Sequence, residues 1–153
     1  MSSPHRPDRT APSVPAADAI AAAILTAIGE ERADIASAYL FGSAAEGRAH
    51  RESDIDIGVL LGWLAHPTRA ERFEIGIRLA GRLQAALARP VDLVILNDAP
   101  PLLGRAIATR GQRLVCRDAR LDHEYVRDVQ LRAADLEPWL RRMRQRKLES
   151  LRG

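Results

Sequence analysis

Apolar residues recur along the first half of the chain with two different periods. Ile20, Ile24 and Ile28 are spaced four residues apart, which predicts one apolar face of a helix over about residues 16–29. The apolar run at 36–41 has the length of a strand and ends at glycine. A polar stretch, 44–53, predicts a loop with a short helical start, and 54–61 becomes wholly apolar, as a strand does on entering a buried sheet.

The second half of the chain repeats this alternation of helices and strands. Thr68 is followed three residues later by Glu71, a capping-box pair that starts a helix, and an apolar stripe then runs to Pro90. The patterns beyond predict a strand, a helix, a short edge strand and a long amphipathic helix interrupted near Pro138, at 91–96, 100–110, 112–116 and 121–151. This order predicts the α/β (α+β) class, with a mixed β-sheet flanked by helices.

Length and composition predict one ordinary soluble domain. With 153 residues, 46% hydrophobic and 28% charged, the chain is neither largely disordered, collagen-like nor a coiled-coil rod. We expect a flexible tail at 1–15, a domain at 16–138 and a basic C-terminal helix or tail at 139–153. The lone Cys116 lies in an apolar run and is expected to be a small core residue. A cytoplasmic protein with no membrane segment is expected.

The basic residues are unevenly distributed. Of 23 basic residues only Lys147 is a lysine, and the net charge is +3. Residues 139–153 carry six basic residues and one acidic residue, which suits nucleic acid, an acidic protein surface or a solvated helix end. The aromatic fraction of 4% gives little surface for base stacking, so nucleic acid ranks last. Trp63 and Trp139 are expected to be packing residues, with Trp63 the better candidate for contacting a base or a partner.

Two aspartates open the second predicted strand. Asp54 and Asp56 are two residues apart, so on a strand they project from one face with Cα atoms about 6.5–7 Å apart. Carboxylates this close repel each other unless a cation joins them. Oxygen ligands suit Mg²⁺ or Mn²⁺, and such a pair can bridge two metal ions.

A third carboxylate and a Gly-Ser pair complete the candidate site. Asp92 lies in an otherwise apolar predicted strand, where an acid is costly unless it is solvated or paired. If that strand lies beside the first two aspartates, Asp92 would bind a metal ion or act as general base. Gly42 and Ser43 end the first strand and could offer backbone N–H groups and a hydroxyl to phosphate.

This spacing resembles the motif of a known family. Gly42-Ser43, ten residues, then Asp54-x-Asp56 is similar to the motif of the minimal nucleotidyltransferases of the polymerase-beta-like superfamily. The segments 39–61 and 91–101 more narrowly resemble the MNT antitoxins encoded beside HEPN toxins. The resemblance covers roughly residues 36–135 and implies the polymerase-beta-like nucleotidyltransferase fold.

The resemblance also implies an activity, cofactors and a partner. Members of that family transfer AMP from ATP to a tyrosine hydroxyl of the HEPN toxin. Carried onto this sequence, Asp54 and Asp56 would hold two Mg²⁺ ions, with Mn²⁺ as the alternative. Asp92 would bind the catalytic ion and help to deprotonate the hydroxyl, while Gly42 and Ser43 would bind the β- and γ-phosphates.

The sequence departs from the family in one respect. Many relatives carry arginine in the first turn after Gly-Ser, where this chain has two alanines and a glutamate at 44–46. The phosphate charge must then be met by metal, by backbone and by Arg48 or Arg51. The expected nucleotide-binding residues are therefore Gly42, Ser43, Arg48, Arg51 and Ser53.

Other functions stay open at this point. The chain could transfer a nucleotide to a small hydroxyl compound such as an aminoglycoside, although little chain remains for a substrate-binding domain. It could instead be an inert antitoxin that blocks its partner by binding alone, although three converging carboxylates argue against that. A homo- or hetero-oligomer is compatible with either function.

Overall fold

The computed structural model describes residues 15–46 and 54–153. Within them the chain forms four strands and five helices, together with a 3₁₀ turn at Leu96–Asp98. The elements are α1 (Ala17–Glu31), β1 (Ile35–Phe41), α2 (Gly42–Ala45), β2 (Ile55–Leu61), α3 (Arg69–Leu87), β3 (Val91–Ile95), α4 (Pro101–Arg110), β4 (Gln112–Cys116) and α5 (Ala119–Arg152). The predicted order and the short helix after Gly42 are confirmed, and Thr68 caps α3 by accepting a hydrogen bond from the Glu71 N–H at 3.2 Å.

The sheet is mixed, as predicted. Its strand order is β3-β2-β1-β4; β1 pairs antiparallel with β2 and β4, whereas β2 and β3 are parallel. The expectation that β4 is an edge strand is confirmed, and β3 forms the other edge. The parallel pair is connected through α3, since parallel neighbours need a crossover helix.

Alternation along β2 divides the interior into two clusters. Ile55, Ile57, Val59 and Leu61 join the cluster made with α1 and α3, whereas Leu60 belongs to the one made with α4 and α5. A Cβ at Gly58 would also meet Ile107 of α4, at 2.9 Å. Even-numbered residues of β2 therefore face α4 and α5. Among the described helices none is long and apolar enough to cross a membrane.

Polar contacts tie the strands together at the C-terminal end of β2. The Asn97 side chain accepts a hydrogen bond from the Leu61 N–H at 2.8 Å and donates to its carbonyl at 2.9 Å. Arg72, which is buried, donates to both Asp98 oxygens, at 2.9 and 2.7 Å. These hydrogen bonds hold the pKa of Asp98 below its usual value. Trp63 stacks on this pair, with its ring centroid 5.0 Å from the Arg72 guanidinium carbon.

Three sequence expectations were wrong. Cys116 is exposed, because it lies at the end of an edge strand. Trp139 is also exposed, at 51%. Helix α5 continues through Pro138. The helix is exposed at that point, so water can hydrate the carbonyl that loses its N–H partner.

Two buried tyrosines differ in their hydrogen bonds. Tyr39 donates to Asp122 at 2.6 Å, and Arg113 donates to the other oxygen of that carboxylate at 3.0 Å. Burial raises the pKa of Asp122, but hydrogen bonds outweigh this and hold it below its usual value. The Tyr125 hydroxyl is buried without a hydrogen-bond partner among the described residues. It lies against Gly104, where a Cβ would collide with it.

Removing the hydroxyl of Tyr39 and removing that of Tyr125 should therefore affect the free energy of unfolding differently. We expect Tyr39→Phe to lower the free energy of unfolding by about 1–3 kcal/mol, because the buried Asp122 loses a donor. Tyr125→Phe should leave that free energy unchanged or raise it by up to about 1 kcal/mol, since no hydrogen bond is lost. Urea denaturation with an unchanged m-value measures both, and equal destabilisation of the two variants would contradict the assignment.

Candidate active site

The central feature of the site is a pair of aspartates on neighbouring parallel strands. Asp56 of β2 is in register with Asp92 of β3, and adjacent strands lie about 4.8 Å apart. Both belong to the set of positions that faces α4 and α5, because their neighbours Ile57 and Leu93 belong to the opposite cluster. The two carboxylates, 36 positions apart in the chain, therefore share one face of the sheet.

Asp54 completes the acidic group. It precedes β2 by one residue and is exposed, and it acts electrostatically on Asp56. The pKa of Asp56 is raised above its usual value, first by burial and then by the charges of Asp92 and Asp54. Burial and both neighbouring carboxylates shift the pKa of Asp56 upward. The two carboxylates therefore add negative charge around Asp56, and none of these contributions offsets it.

Gly42 lies directly against this carboxylate. Phe41, the last residue of β1, is in register with Asp56, and Gly42 follows it with a φ of +69°. A Cβ at this position would collide with the Asp56 carboxylate. Glycine is therefore required at this turn for two reasons: the backbone is left-handed, and the Asp56 carboxylate approaches too closely for a side chain.

Ser43 is partly buried in α2, immediately after this turn. The sequence prediction that Gly42 and the aspartates meet is thus supported by the register of three strands. Arg48, Arg51 and Ser53 lie outside the described residues, so their predicted part in nucleotide binding remains a prediction.

Sequence reasoning missed one basic residue near the Gly-Ser turn. A cavity of about 130 Å³ is lined by Gly42, Ala45 and Glu46 on one side and by Ile107 and Arg110 of α4 on the other. Arg110 ends α4 and is exposed. No sequence period points to it, because its position depends on how α4 packs on the sheet.

The register of the acidic strands is fixed at both ends. At the site, the Ile55 N–H donates to the Pro90 carbonyl at 3.0 Å, which sets β3 against the start of β2. At the far end, Asn97 holds the turn after β3 to Leu61. A slip of one residue would turn Asp92 to the other face.

The donor set fits a hard divalent cation. All three groups are carboxylates, and their mutual repulsion would be relieved by positive charge. Within the described ranges, however, no three acidic, histidine or cysteine side chains are gathered closely enough to hold a metal ion unaided. This fits Mg²⁺, which is usually bound by one or two carboxylates together with water and substrate phosphates.

Comparison with known proteins agrees with the geometry. The sequence profile described as "Polymerase beta, Nucleotidyltransferase" matches residues 24–120. The protein adenylyltransferase MntA of Shewanella oneidensis (strain MR-1) is 43% identical over 77 residues, which is 50% of this chain and 50% of MntA. The chain thus matches about half the length of this curated relative.

Solved structures resemble nearly the whole described fold. A crystal structure of a toxin–antitoxin complex with AMP-PNP superposes with a TM-score of 0.63 at 28% identity, over 87% of this chain and 98% of that one. The MntA–HepT toxin–antitoxin structure gives 0.57 at 25% identity, over 88% and 97%.

Removing a neighbouring charge should lower the pKa of Asp56. The raised pKa means that the folded state binds this proton more tightly than the unfolded chain does. Stability from this group is therefore greatest below the ordinary value of 3.8 and is lost as the pH rises through the raised value. Asp92→Asn should reduce both the shift and this loss. Carboxyl ¹³C NMR titration of Asp56 measures the effect.

Asp18→Asn is the matched control. Asp18 is exposed at the start of α1, a helix that packs on the face of the sheet opposite the acidic group, so its replacement should leave the Asp56 titration unchanged. An Asp56 titration that is insensitive to Asp92→Asn would show that the two carboxylates do not interact.

Proposed function

We propose, because the chain belongs to the polymerase beta nucleotidyltransferase family, that it transfers AMP from ATP to a tyrosine hydroxyl of a HEPN-type toxin and so acts as an antitoxin. The observation that carries this proposal is the register of Asp56 with Asp92, with Gly42 packed against the Asp56 carboxylate. The likeness to a protein adenylyltransferase and to a toxin–antitoxin complex with AMP-PNP supports it.

The three aspartates are the groups that would hold Mg²⁺, or Mn²⁺ in its place. Bound ions would neutralise the triphosphate and favour ionisation of the incoming hydroxyl. Asp54, one residue before β2, and Asp56, on β2, lie two residues apart and suit a shared site for two ions. Asp92 is exposed on β3, an edge strand of the sheet, where a large acceptor protein can approach.

The chemistry is an in-line displacement at the α-phosphorus of ATP. The tyrosine oxygen forms a bond to the α-phosphorus, the bond to the bridging oxygen breaks, and pyrophosphate leaves with its electrons. Asp92 receives the tyrosine proton as general base. The protein contributes mainly by positioning the reactants and balancing their charge.

The Gly-Ser turn would bind the departing phosphates. Because Gly42 has no side chain, phosphate oxygens can approach the backbone N–H groups, and the Ser43 hydroxyl adds a donor. Arg110, in the wall of the neighbouring cavity, supplies positive charge near positions 44–46, where this chain lacks the arginine of many relatives. Arg48 and Arg51 would add to it.

Neutralising the acidic group should abolish transfer. We expect Asp54→Ala combined with Asp56→Ala, and separately Asp92→Asn, to lower the rate of AMP transfer by about a thousandfold or more, since lost metal stabilisation costs several kcal/mol. Radiolabelled ATP, Mg²⁺ and a HEPN-type toxin as acceptor test this. Removal of Mg²⁺ by EDTA should have the same effect.

The acceptor distinguishes the remaining functions. Label on a toxin tyrosine, with Asp18→Asn as active as wild type, is the expected result. Label on an aminoglycoside would show a small-molecule transferase instead. Toxin neutralisation that survives the double alanine variant would show an antitoxin that acts by binding alone.

Adding one methyl group at Gly42 should impair nucleotide use. In Gly42→Ala the new Cβ would collide with the Asp56 carboxylate at a positive φ. We expect kcat/KM for ATP to fall by about a hundredfold, as a displacement of about 1 Å at a reacting centre does. The control is Gly81→Ala in α3, where nothing lies within 4 Å of a new Cβ. It should keep full activity, and its free energy of unfolding should rise by about 0.5–1 kcal/mol. Equal activity of the two variants would contradict this role of Gly42.

A further inference from the structure

Helix α5 extends well beyond the domain that it packs against. Its buried residues are Asp122, Tyr125, Val129 and Ala133, at the spacing of one helical face. From 134 onward every residue is exposed or half-buried. We call residues 134–152 the docking arm.

The apolar face of α5 does not stop where its burial stops. At about 100° per residue, Leu136, Leu140 and Met143 fall on the same side as Val129 and Ala133, and so does Leu151. Leu136, Met143 and Leu151 are 37%, 46% and 74% exposed. The face that contacts α4 and β1 in the domain therefore continues, uncovered, along the arm.

Basic side chains border this face. A surface groove on the arm is lined by Leu140, Met143, Arg144, Arg146, Lys147 and Ser150. By the helical angle, Arg144 and Arg146 lie on its two opposite edges, whereas Arg141, Arg142 and Glu149 lie on the far side. Lys147 falls on the centre line of the same face, between Met143 and Leu151. The groove thus has a largely apolar floor, to which the aliphatic part of Lys147 adds, with one central positive charge and positive margins.

The apolar floor and the basic margins together distinguish between the molecules that could bind in this groove. Residues 139–153 carry six basic residues against one acidic residue, so two copies of the arm would repel each other. Nucleic acid would use the arginines but not the leucine and methionine floor. A helix with an apolar face and carboxylates along its edges matches both features of the groove. Its apolar face buries the floor, and its carboxylates pair with the basic margins.

We propose that the docking arm binds an amphipathic helix with acidic edges on the surface of the partner toxin. The identity of the partner rests on the proposed function, whereas its chemistry rests on the arm. Arg105 of α4 donates to Glu137 at 2.6 Å, which fixes the base of the arm to the helix that ends at Arg110. Docking there would hold the acceptor tyrosine near the acidic site and raise its effective concentration.

Two pairs of charge reversals on the full-length protein test the proposal. The binding probe is a HEPN-type toxin that the wild-type protein binds, with its tyrosines replaced by phenylalanine so that modification does not change binding. Arg144→Glu with Arg146→Glu should raise the Kd by about tenfold or more at physiological salt. The matched control, Arg141→Glu with Arg142→Glu, has the same charge change on the far side and should alter the Kd less than about threefold.

A second set of variants tests the apolar floor. Leu140→Asp with Met143→Asp should also weaken binding by about tenfold or more. Leu131→Asp on α5 replaces another exposed leucine, on the other side of the helix, and should bind normally. With unaltered toxin, the floor variant should show a raised KM for toxin and an unchanged kcat, because the acidic site is intact.

The outcomes separate this proposal from the proposed function. If wild type modifies the toxin and all four variants bind it alike, the docking arm is wrong and the transferase assignment stands. If binding depends on the arm but no AMP is transferred, the arm stands and the transferase assignment fails.

A wild-type dimer that Met143→Asp dissociates would show that a second copy covers the arm. Loss of RNA binding alone in the Arg144/Arg146 variant would show a nucleic-acid surface. Either result would overturn the proposal.

Discussion

The structure depends on holding two like charges side by side. Asp56 and Asp92 are in register on parallel strands, and burial, followed by the charge of Asp92, raises the pKa of Asp56. Nothing in the pair itself favours this arrangement. It persists because Ile57 and Leu93, on the other face of the same strands, pack into the larger core cluster. A one-residue slip that separated the charges would bring apolar side chains into water.

The contacts that stabilise this register lie mostly away from the charges. Asn97 holds β3 to the end of β2, and the Arg72–Asp98 pair fixes the turn beyond it. The likeness of the segment 91–101 to the family thus has a structural meaning at these two positions. With stability supplied at one end of the parallel strands, the other end can keep an uncompensated acidic group for a cation and a triphosphate.

The sequence carries local information well and packing information poorly. The helical and strand periods predicted the four strands and the four longer helices but not the 3₁₀ turn at Leu96–Asp98, and the spacing of Asp54 and Asp56 predicted a shared face. Whether Asp92 lies near them was left open by the sequence, and the structure answers it by pairing β3 with β2, as strand–helix–strand connections commonly do. Arg110 was missed because only the packing of α4 brings it to Gly42. Cys116 and Trp139 were misjudged because apolar character shows that a residue can be buried and does not show what covers it. The roles of Arg48, Arg51 and Ser53 in nucleotide binding remain predictions.

The separation of acidic and basic surfaces within the chain bears on its preference for arginine over lysine, which composition alone does not explain. The acidic group lies at one edge of the sheet, whereas the docking arm concentrates positive charge, so the net charge of +3 conceals two surfaces of opposite sign. A partner that fits both must present carboxylates to the arm and an uncharged hydroxyl to the acidic edge. Arginine suits the first task better than lysine, since its planar guanidinium forms paired hydrogen bonds with a carboxylate. The near absence of lysine from the chain is therefore consistent with recognition of acidic groups by geometry as well as by charge.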